Sequence, residues 1–243
     1  MIDVHRHTER HHDSHCERHV RIAFGSRTHD TPPTDALGGL GGLSEIRLPP
    51  AGRCTPVASD AEETVTYVYS GALAVEESNG GHAIAYAGEF LRSALPPGAY
   101  DREIKAPKTV GAHVFRISLR GLKVGPCRAA EHTRFTAGQR RNKVCAVASP
   151  DARDGSLQIH QDAVVYSSIL DAGHHFAYPL RPRRTAWVHL VAGSATLGAL
   201  VLSVGDSVGV TSEPWVSFVA QRSSEILLID VGSQDTLERR PSQ

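Results

Sequence analysis

The sequence predicts an all-β protein built from two similar antiparallel β-barrels. Its 22 glycines and 14 prolines are spread along 243 residues, where they separate short apolar runs as turn residues. Few stretches have the 3.6-residue spacing of a helix. A skeleton of strand, glycine, strand, strand and glycine followed by an acidic residue also occurs twice. These observations favour many short strands arranged as two copies of one barrel.

Residues 1–35 are predicted to form a polar N-terminal arm. The segment holds seven of the 14 histidines and little apolar content. A metal site is the alternative interpretation, because four residues of the arm lie at short spacings that a soft divalent ion could use: His12, His15, Cys16 and His19. Zinc needs four ligands held in tetrahedral geometry, so the pattern favours a solvated arm.

The first copy of the skeleton lies within residues 36–120. A β-branched and aromatic run over residues 64–69 ends at Gly71, and two further short strands lead to Gly88-Glu89. Short turns between successive strands are typical of an antiparallel meander. This segment is predicted to be the first barrel.

The second copy lies within residues 149–233. The strand over residues 186–191 ends at Gly193, and after two more short strands the chain reaches Gly205-Asp206. This segment is predicted to be the second barrel, because the order of its features repeats that of the first.

The remaining segments connect or extend the barrels. Residues 121–148 are rich in Arg, Lys, Gly and Pro and are predicted to form a crossover linker, and residues 234–243 a C-terminal tail. The basic residues of the crossover could form a phosphate-binding face, but such a stretch is more often a solvated linker.

Charge and hydropathy exclude two classes of partner. With 26 basic and 26 acidic residues, the chain has no global field for a polyanion, and no local patch predicts direct nucleic-acid binding. No apolar run approaches the roughly 18 residues of a membrane span, and the first residues do not resemble a signal peptide. We expect a soluble, cytoplasmic protein with no membrane partner.

The cysteines predict neither a disulfide framework nor a thiolate zinc site. The four residues lie far apart and form no CxxC pair: Cys16, Cys54, Cys127 and Cys145. We expect them to be reduced thiols.

Four parts of the chain carry a family resemblance. They are residues 22–25 (IAFG), residues 63–71 (ETVTYVYSG), residues 87–90 (AGEF) and, most specific, residues 149–157 (SPDARDGSL) with HQD at 160–162. These segments resemble the pirin family of bicupins, which includes bacterial pirin-like proteins described as quercetin 2,3-dioxygenases. The resemblance spans roughly residues 10–231. It implies two cupin barrels of the jelly-roll type, packed face to face in one chain.

The resemblance also implies a metal site in the first barrel, from which this sequence departs. Family members hold one metal, usually iron, through a His-x-His pair and a His-x-Glu pair. By the matching segments, the first pair falls on Val57 and Ser59 and the second on Asp101 and Glu103. Only the glutamate remains, and residues 30–81 contain no histidine. We therefore expect a degenerate site and no cofactor. An iron-type divalent metal would be present only if the site survives in altered form, with Glu103 and Asp101 as ligands.

Asp101 and Glu103 are instead a candidate general acid/base pair. Residues i and i+2 of a strand point to one face, so if Glu103 faces the barrel interior, Asp101 does too. Two carboxylates in a low-dielectric cavity repel, which raises one pKa and leaves an acid beside a base. Glu63 is a candidate third catalytic carboxylate if it points inward, whereas Arg102 should point outward.

Two other interpretations of this carboxylate pair remain open. Asp101 and Glu103 could belong to a polar core, paired with Arg53 or Arg92. A hard ion such as magnesium or calcium could also use their oxygens, although two carboxylates are too few ligands without added water.

Candidate pocket residues come from both barrels. Val57 and Ser59 occupy the positions of missing ligands, and His113, in the strand that closes the first barrel, is a possible imidazole partner for the carboxylates. Alternation along residues 185–191 places Trp187 and His189 on one face, where they could line a site for an aromatic ligand. Ordinary core packing is the alternative for Trp187.

The sequence therefore predicts a pirin-like bicupin that binds an apolar or aromatic small molecule in its first barrel. The predicted reaction is a metal-independent acid/base step, such as an isomerisation, a cyclisation or a dehydration. One alternative is a non-catalytic module that acts through a protein partner. The other is an oxygenase resembling quercetin 2,3-dioxygenase, with a non-standard metal site.

Overall fold

The computed structural model describes residues 1–9, 11–12, 20–24, 39–55, 62–76, 82–94, 103–120 and 130–232. In chain order the first strands are β1 (Ile2–His5), β2 (His11–His12), β3 (Val20–Phe24), β4 (Leu40–Leu48), β5 (Arg53–Cys54), β6 (Glu62–Glu76), β7 (His82–Tyr86), β8 (Glu89–Ala94), β9 (Glu103–Lys105), β10 (Ala112–Arg120) and β11 (Glu131–Arg134). The later strands are β12 (Cys145–Ser149), β13 (Leu157–Gln158), β14 (Ala163–Leu170), β15 (His175–Pro179), β16 (Arg184–Ala192), β17 (Ser194–Leu197), β18 (Leu200–Ser203), β19 (Ser207–Thr211), β20 (Trp215–Ala220) and β21 (Ser224–Gly232). Within these residues the helical structure is α1 (Ala137–Arg140) and two 3-10 turns, His7–Glu9 and Arg153–Gly155.

The first barrel has two walls that share one long strand. In the larger wall the strands are ordered β11-β8-β6-β10-β4-β3-β2. In the smaller wall β7 and β9 both pair with β6, and β5 pairs with β9. Because β6 is 15 residues long, its first half lies in the larger wall and its second half in the smaller one.

The second barrel is made in the same way, with one strand from the start of the chain. Its larger sheet has the order β1-β19-β16-β21-β14-β12-β13, and its smaller sheet has the order β15-β20-β17-β18. Strand β1 pairs antiparallel with β19, with Ile2 opposite Val210. The carboxylate of Asp206 secures this strand, since it accepts hydrogen bonds from the Arg6 guanidinium at 2.8 Å and from the His7 backbone at 2.9 Å.

Apolar side chains form three buried clusters, which confirms the two-barrel prediction and locates the interface. One cluster fills the first barrel, one fills the second, and the third lies between the larger walls. Alternation assigns the central strands of the larger walls to two clusters at once. On β10, Val114 belongs to the interior of the first barrel, whereas Phe115 and Ile117 belong to the cluster between the barrels.

Two glycines occupy matching places in the two copies. Gly71 and Gly193 have φ angles of +78° and +85°, and each lies where a long strand runs on into the next wall. A Cβ at Gly71 would lie 1.9 Å from the Gly111 carbonyl oxygen, and one at Gly193 would lie 2.3 Å from the Ser223 carbonyl oxygen. Both bends therefore require glycine, for the same reason in each barrel.

The ends of the predicted segments contain more structure than the composition indicates. The polar arm over residues 1–35 includes β1, β2 and β3, and the crossover over residues 121–148 includes β11, α1 and most of β12. These strands add to sheet edges, where pairing with a neighbouring backbone stabilises a segment that has no strong apolar pattern of its own.

The expectation of four reduced thiols is wrong for Cys54, which is disulfide-bonded. Cys145, the other cysteine of the described residues, is free. Disulfide pairing depends on the spatial approach of two β-carbons, which the spacing along the chain does not report.

Replacing Gly71 by alanine should destabilise the fold strongly. A positive φ costs a residue with a Cβ about 1 kcal/mol, and contact with a backbone oxygen adds about 1–3 kcal/mol. We expect the free energy of unfolding to fall by about 3 kcal/mol in Gly71→Ala, measured by chemical denaturation. Gly88→Ala is the matched control, because Gly88 has a φ of +86° but no atom within 4 Å of the added Cβ. Equal losses in the two variants would contradict this account.

Candidate functional site

The interior of the first barrel contains a narrow cavity. Its apolar walls come from five strands and consist of aliphatic side chains: Ile46, Leu73, Val75, Leu91, Ile104 and Val114. The cavity has about 330 Å³ of empty space when its open mouth is counted, but the centre of a water molecule fits in only about 10 Å³ of it. That inner volume is about what one water molecule needs, so the described walls leave a small enclosed space with a wider opening.

One side of this cavity is polar. We call the six residues that form it the polar belt: Ser44, Thr64, Thr66, Ser93, Arg116 and Ser118. Four of them line the cavity directly, namely Thr64, Thr66, Ser93 and Arg116. Ser44 and Ser118 lie on the same inner face by strand alternation.

The sheet register explains why these six side chains lie together. Directly opposed residues of antiparallel strands point to the same face. Arg116 of β10 lies opposite Ser44 of β4 on one side and opposite Thr66 of β6 on the other. One pair further along, Ser118 lies opposite Thr64, which lies opposite Ser93 of β8. The belt is therefore two adjacent rows that cross the larger wall.

Glu103, predicted to be catalytic, faces away from the cavity. On β9 it is Ile104 that is buried and lines the cavity, and alternation turns Glu103 and Lys105 outward. The Glu103 carboxylate lies 2.8 Å from the Lys105 ammonium and 3.3 Å from the Arg53 guanidinium. Hydrogen bonds to Glu103 and then to Glu76 raise the pKa of Lys105. The inward orientation that the acid/base pair requires is therefore not met by Glu103. Its pairing with Arg53, which the polar-core interpretation named, is present but lies at the surface.

Three other predicted residues cannot be placed against this cavity. Asp101, the partner of Glu103 in the predicted acid/base pair, lies outside the described residues, as do Val57 and Ser59. Their roles remain predictions from the sequence.

Glu63 points toward the second barrel, not into the first. Its carboxylate accepts a hydrogen bond from Arg92 Nε at 2.9 Å and one from the His160 backbone N–H at 2.7 Å. The side chains of Glu63 and Arg92 are 2% and 1% exposed, so this is a fully buried ion pair. Alternation on β6 places Thr64 on the cavity face and Glu63 on the opposite one. The inward orientation that a catalytic Glu63 requires is therefore not met, and Arg92 pairs with Glu63 rather than with Glu103.

His113 also lies on the face between the barrels. Its Nε2 is 2.8 Å from Glu45 Oε1, the same oxygen that accepts a hydrogen bond from Arg47. The ring packs edge-on against Tyr69 with centroids 5.1 Å apart. His113 is thus separated from the cavity by the thickness of its own sheet and is not an imidazole partner for carboxylates inside the barrel.

Trp187 and His189 share one face of β16, as alternation predicts, but that face meets the first barrel. Trp187 is 1% exposed and belongs to the cluster between the barrels, whereas Val188 on the opposite face belongs to the interior of the second barrel. His189 is fully buried, with Nδ1 2.7 Å from the Ser207 hydroxyl and its ring 5.3 Å from that of Phe115. Neither residue lines a pocket of the second barrel, and the core interpretation of Trp187 is correct.

A second buried polar cluster joins the barrels near α1. Arg140 donates hydrogen bonds to Glu225 at 2.6 Å and to the Ser167 hydroxyl at 3.0 Å. The Tyr67 hydroxyl also donates to Glu225. Burial, followed by the nearby Glu225 carboxylate, raises the pKa of Tyr67 well above its usual value. Tyr67 therefore remains a neutral hydrogen-bond donor, and the cluster serves the interface.

The residues around the cavity do not fit the family's metal. Among the described lining residues there is no His, Cys, Asp or Glu; the available groups are hydroxyls and a guanidinium. Hydroxyls are weak ligands for a transition ion, and the positive charge of Arg116 opposes any cation placed beside it. Across the described part of the chain, no three metal-ligating side chains converge at one place.

The polar belt was not predicted from the sequence. Its signal was present, because Thr64 and Thr66 alternate with Val65 and Tyr67, and Arg116 and Ser118 alternate with Phe115 and Ile117. Without the fold, neither face of these strands is identifiable as the inner one, since both are buried.

The region described by the structure has no helix long and apolar enough to cross a membrane.

Comparison with known proteins places the chain in a family. Residues 146–231 match the family model described as the quercetinase C-terminal cupin domain. The chain is 31% identical over 169 residues to quercetin 2,3-dioxygenase of Escherichia coli O157:H7, which covers 70% of this chain and 72% of that protein.

Solved structures agree with the sequence matches. YhhW from Escherichia coli superposes with a TM-score of 0.81 and 26% identity over 95% of this chain and 97% of that one. The structure of bacterial pirin YhhW in complex with nickel(II) gives a TM-score of 0.79 at 24% identity, with 96% of this chain and 99% of that chain covered. Two barrels joined face to face and the match to quercetin 2,3-dioxygenase lead to one conclusion: this chain is a bicupin of the pirin family.

Proposed function

We propose that this protein binds a small, largely apolar molecule in the cavity of its first barrel without the metal ion that its relatives use there. The observation that carries this proposal is the composition of the described cavity walls. They combine six aliphatic side chains with three hydroxyls and one guanidinium. Pockets for small ligands in proteins have this composition, an apolar surface with a few polar groups that fix orientation.

The family relationship supports binding in this barrel but does not extend to the oxygenase reaction. Quercetin 2,3-dioxygenase is the name of a relative that is 31% identical, and nickel(II) belongs to the structure of another. In this chain the inward position of β9 is Ile104, whose side chain cannot ligate a metal.

A more specific version of this proposal adds the acid/base reaction that the sequence predicts. Glu103 and Glu63 face away from the cavity, so they cannot exchange protons with a molecule inside it. An isomerisation, cyclisation or dehydration in this barrel would therefore depend on Asp101, outside the described residues. Binding is the part of the function that the described residues support.

The purified protein should contain no stoichiometric transition metal in the barrel. Mass spectrometry of protein prepared without an affinity tag should find iron, nickel, copper and manganese each far below one per chain. The histidine-rich arm needs its own control, a variant in which His11, His12, His15 and His19 are replaced by glutamine. Metal that disappears in this variant belongs to the arm, whereas about one ion per chain that remains would contradict the proposal.

Filling the cavity should abolish ligand binding. In a thermal-shift screen of small aromatic and aliphatic compounds, we expect some to raise the melting temperature, because a ligand that binds only the folded state stabilises it. Thr66→Leu places two extra carbons in the cavity and should remove this stabilisation. The matched control is Thr196→Leu, a half-buried position on β17 of the second barrel, which should keep it. Stabilisation that survives in Thr66→Leu would place the ligand elsewhere.

Glutamine substitutions of Glu63 and Glu103 should reduce stability to different extents, and neither should change ligand binding. Glu63→Gln leaves the buried Arg92 without its counter-charge, so the free energy of unfolding should fall by about 3 kcal/mol. Glu103→Gln removes a partly exposed ion pair and should cost less than about 1 kcal/mol. Loss of turnover in Glu103→Gln with unchanged folding would restore the catalytic interpretation of this residue.

A further inference from the structure

We propose that the polar belt recognises the carboxylate group of a small organic acid, whose apolar part lies against the aliphatic wall. This inference rests on the proposed function and gives it a ligand class. It starts from the position of Arg116, the charged residue among the described residues that line the cavity.

The surroundings of Arg116 favour an anion. Its nearest neighbours on the inner face are hydroxyls, with Ser44 and Thr66 directly opposite it in the register. Hydroxyls can donate to an anion as the guanidinium does, and the described lining residues include no carboxylate to oppose one. In a water-poor cavity the attraction between a guanidinium and an anion is stronger than it is in bulk water.

Arg116 already has an interaction partner within the protein. A ligand carboxylate would join that contact or replace it. The position of the guanidinium in the cavity and the hydroxyls opposite it are what support carboxylate binding.

Among anionic ligands, the shape and composition of the cavity favour a carboxylate. A guanidinium presents two parallel N–H donors that match the two oxygens of a carboxylate. One guanidinium supplies a single positive charge, which balances a carboxylate better than a phosphate dianion. The aliphatic residues Leu73, Val75 and Val114 provide an apolar surface that an inorganic anion would not use.

The size of the cavity sets the scale of this acid. The enclosed part holds about one water molecule, which is comparable to one carboxylate group, and the wider mouth can take a short chain or one ring. Benzoate is therefore a suitable probe, and benzamide is its uncharged counterpart of nearly equal shape.

The experiment compares the affinities of sodium benzoate and benzamide by titration calorimetry at low salt. We expect benzoate to bind about tenfold or more tightly than benzamide, because hydrogen bonds to charged groups are the stronger ones. Arg116→Gln should remove most of this difference, and Arg116→Lys should retain part of it, since the charge is kept. Raising the salt concentration should weaken the binding of benzoate and leave the binding of benzamide unchanged.

Two further variants make the test independent of any folding defect in Arg116→Gln. Thr66→Val removes a hydroxyl of the polar belt at nearly constant volume. It should weaken the binding of benzoate several-fold more than the binding of benzamide. Arg47→Gln removes an exposed cation from the other face of the same wall, and both affinities should remain as in the wild type.

Each other result has a distinct meaning. Benzamide binding as tightly as benzoate, or a benzoate preference unchanged in Arg116→Gln, would overturn the carboxylate inference while small-molecule binding stands. Displacement of benzoate by inorganic phosphate at equal affinity would also overturn it, in favour of a simple anion site. If neither probe binds and no compound stabilises the protein, the proposed function fails as well.

Discussion

Burial of the larger wall of the first barrel against the second barrel determines the directions of Glu63, His113 and the polar belt. The central strands of that wall, β4, β6, β8 and β10, have two buried faces, one turned to their own barrel and one to its neighbour. The face between the barrels holds the aromatic and charged residues that attract notice in the sequence, such as Glu63, His113 and Trp187. Because those residues face the second barrel, the cavity is lined by aliphatic side chains, hydroxyls and Arg116.

The fold was predictable because its signals are local. Gly71 and Gly193 mark equivalent bends, and the strands on either side of them have β-branched and aromatic composition. The site was not predictable to the same degree. Period-two alternation divides a strand into two faces, but when both are buried it does not tell which one is inside the barrel. For β9 a shift of one residue exchanges Ile104 and Glu103, and on β6 and β16 alternation did not tell which of the two buried faces turns into the barrel.

The chemistry of the first barrel differs from that of a metal cupin in the source of its positive charge. A divalent ion held by imidazoles and a carboxylate supplies a positive centre through an exchangeable cofactor. Here the described walls supply a positive group covalently, through Arg116 on β10. A guanidinium binds and orients an anion but does not activate oxygen, so the role proposed for this barrel is recognition.

The pairing of β1 with β19 has a consequence for how the chain is made. Residues 2–5 are synthesised long before residues 207–211, so β1 has no partner strand until β19 has been made. Such a contact has a very large sequence separation and closes late. The edge of β19 is therefore covered by a strand that precedes both barrels in the chain and that pairs only after β19 has been synthesised.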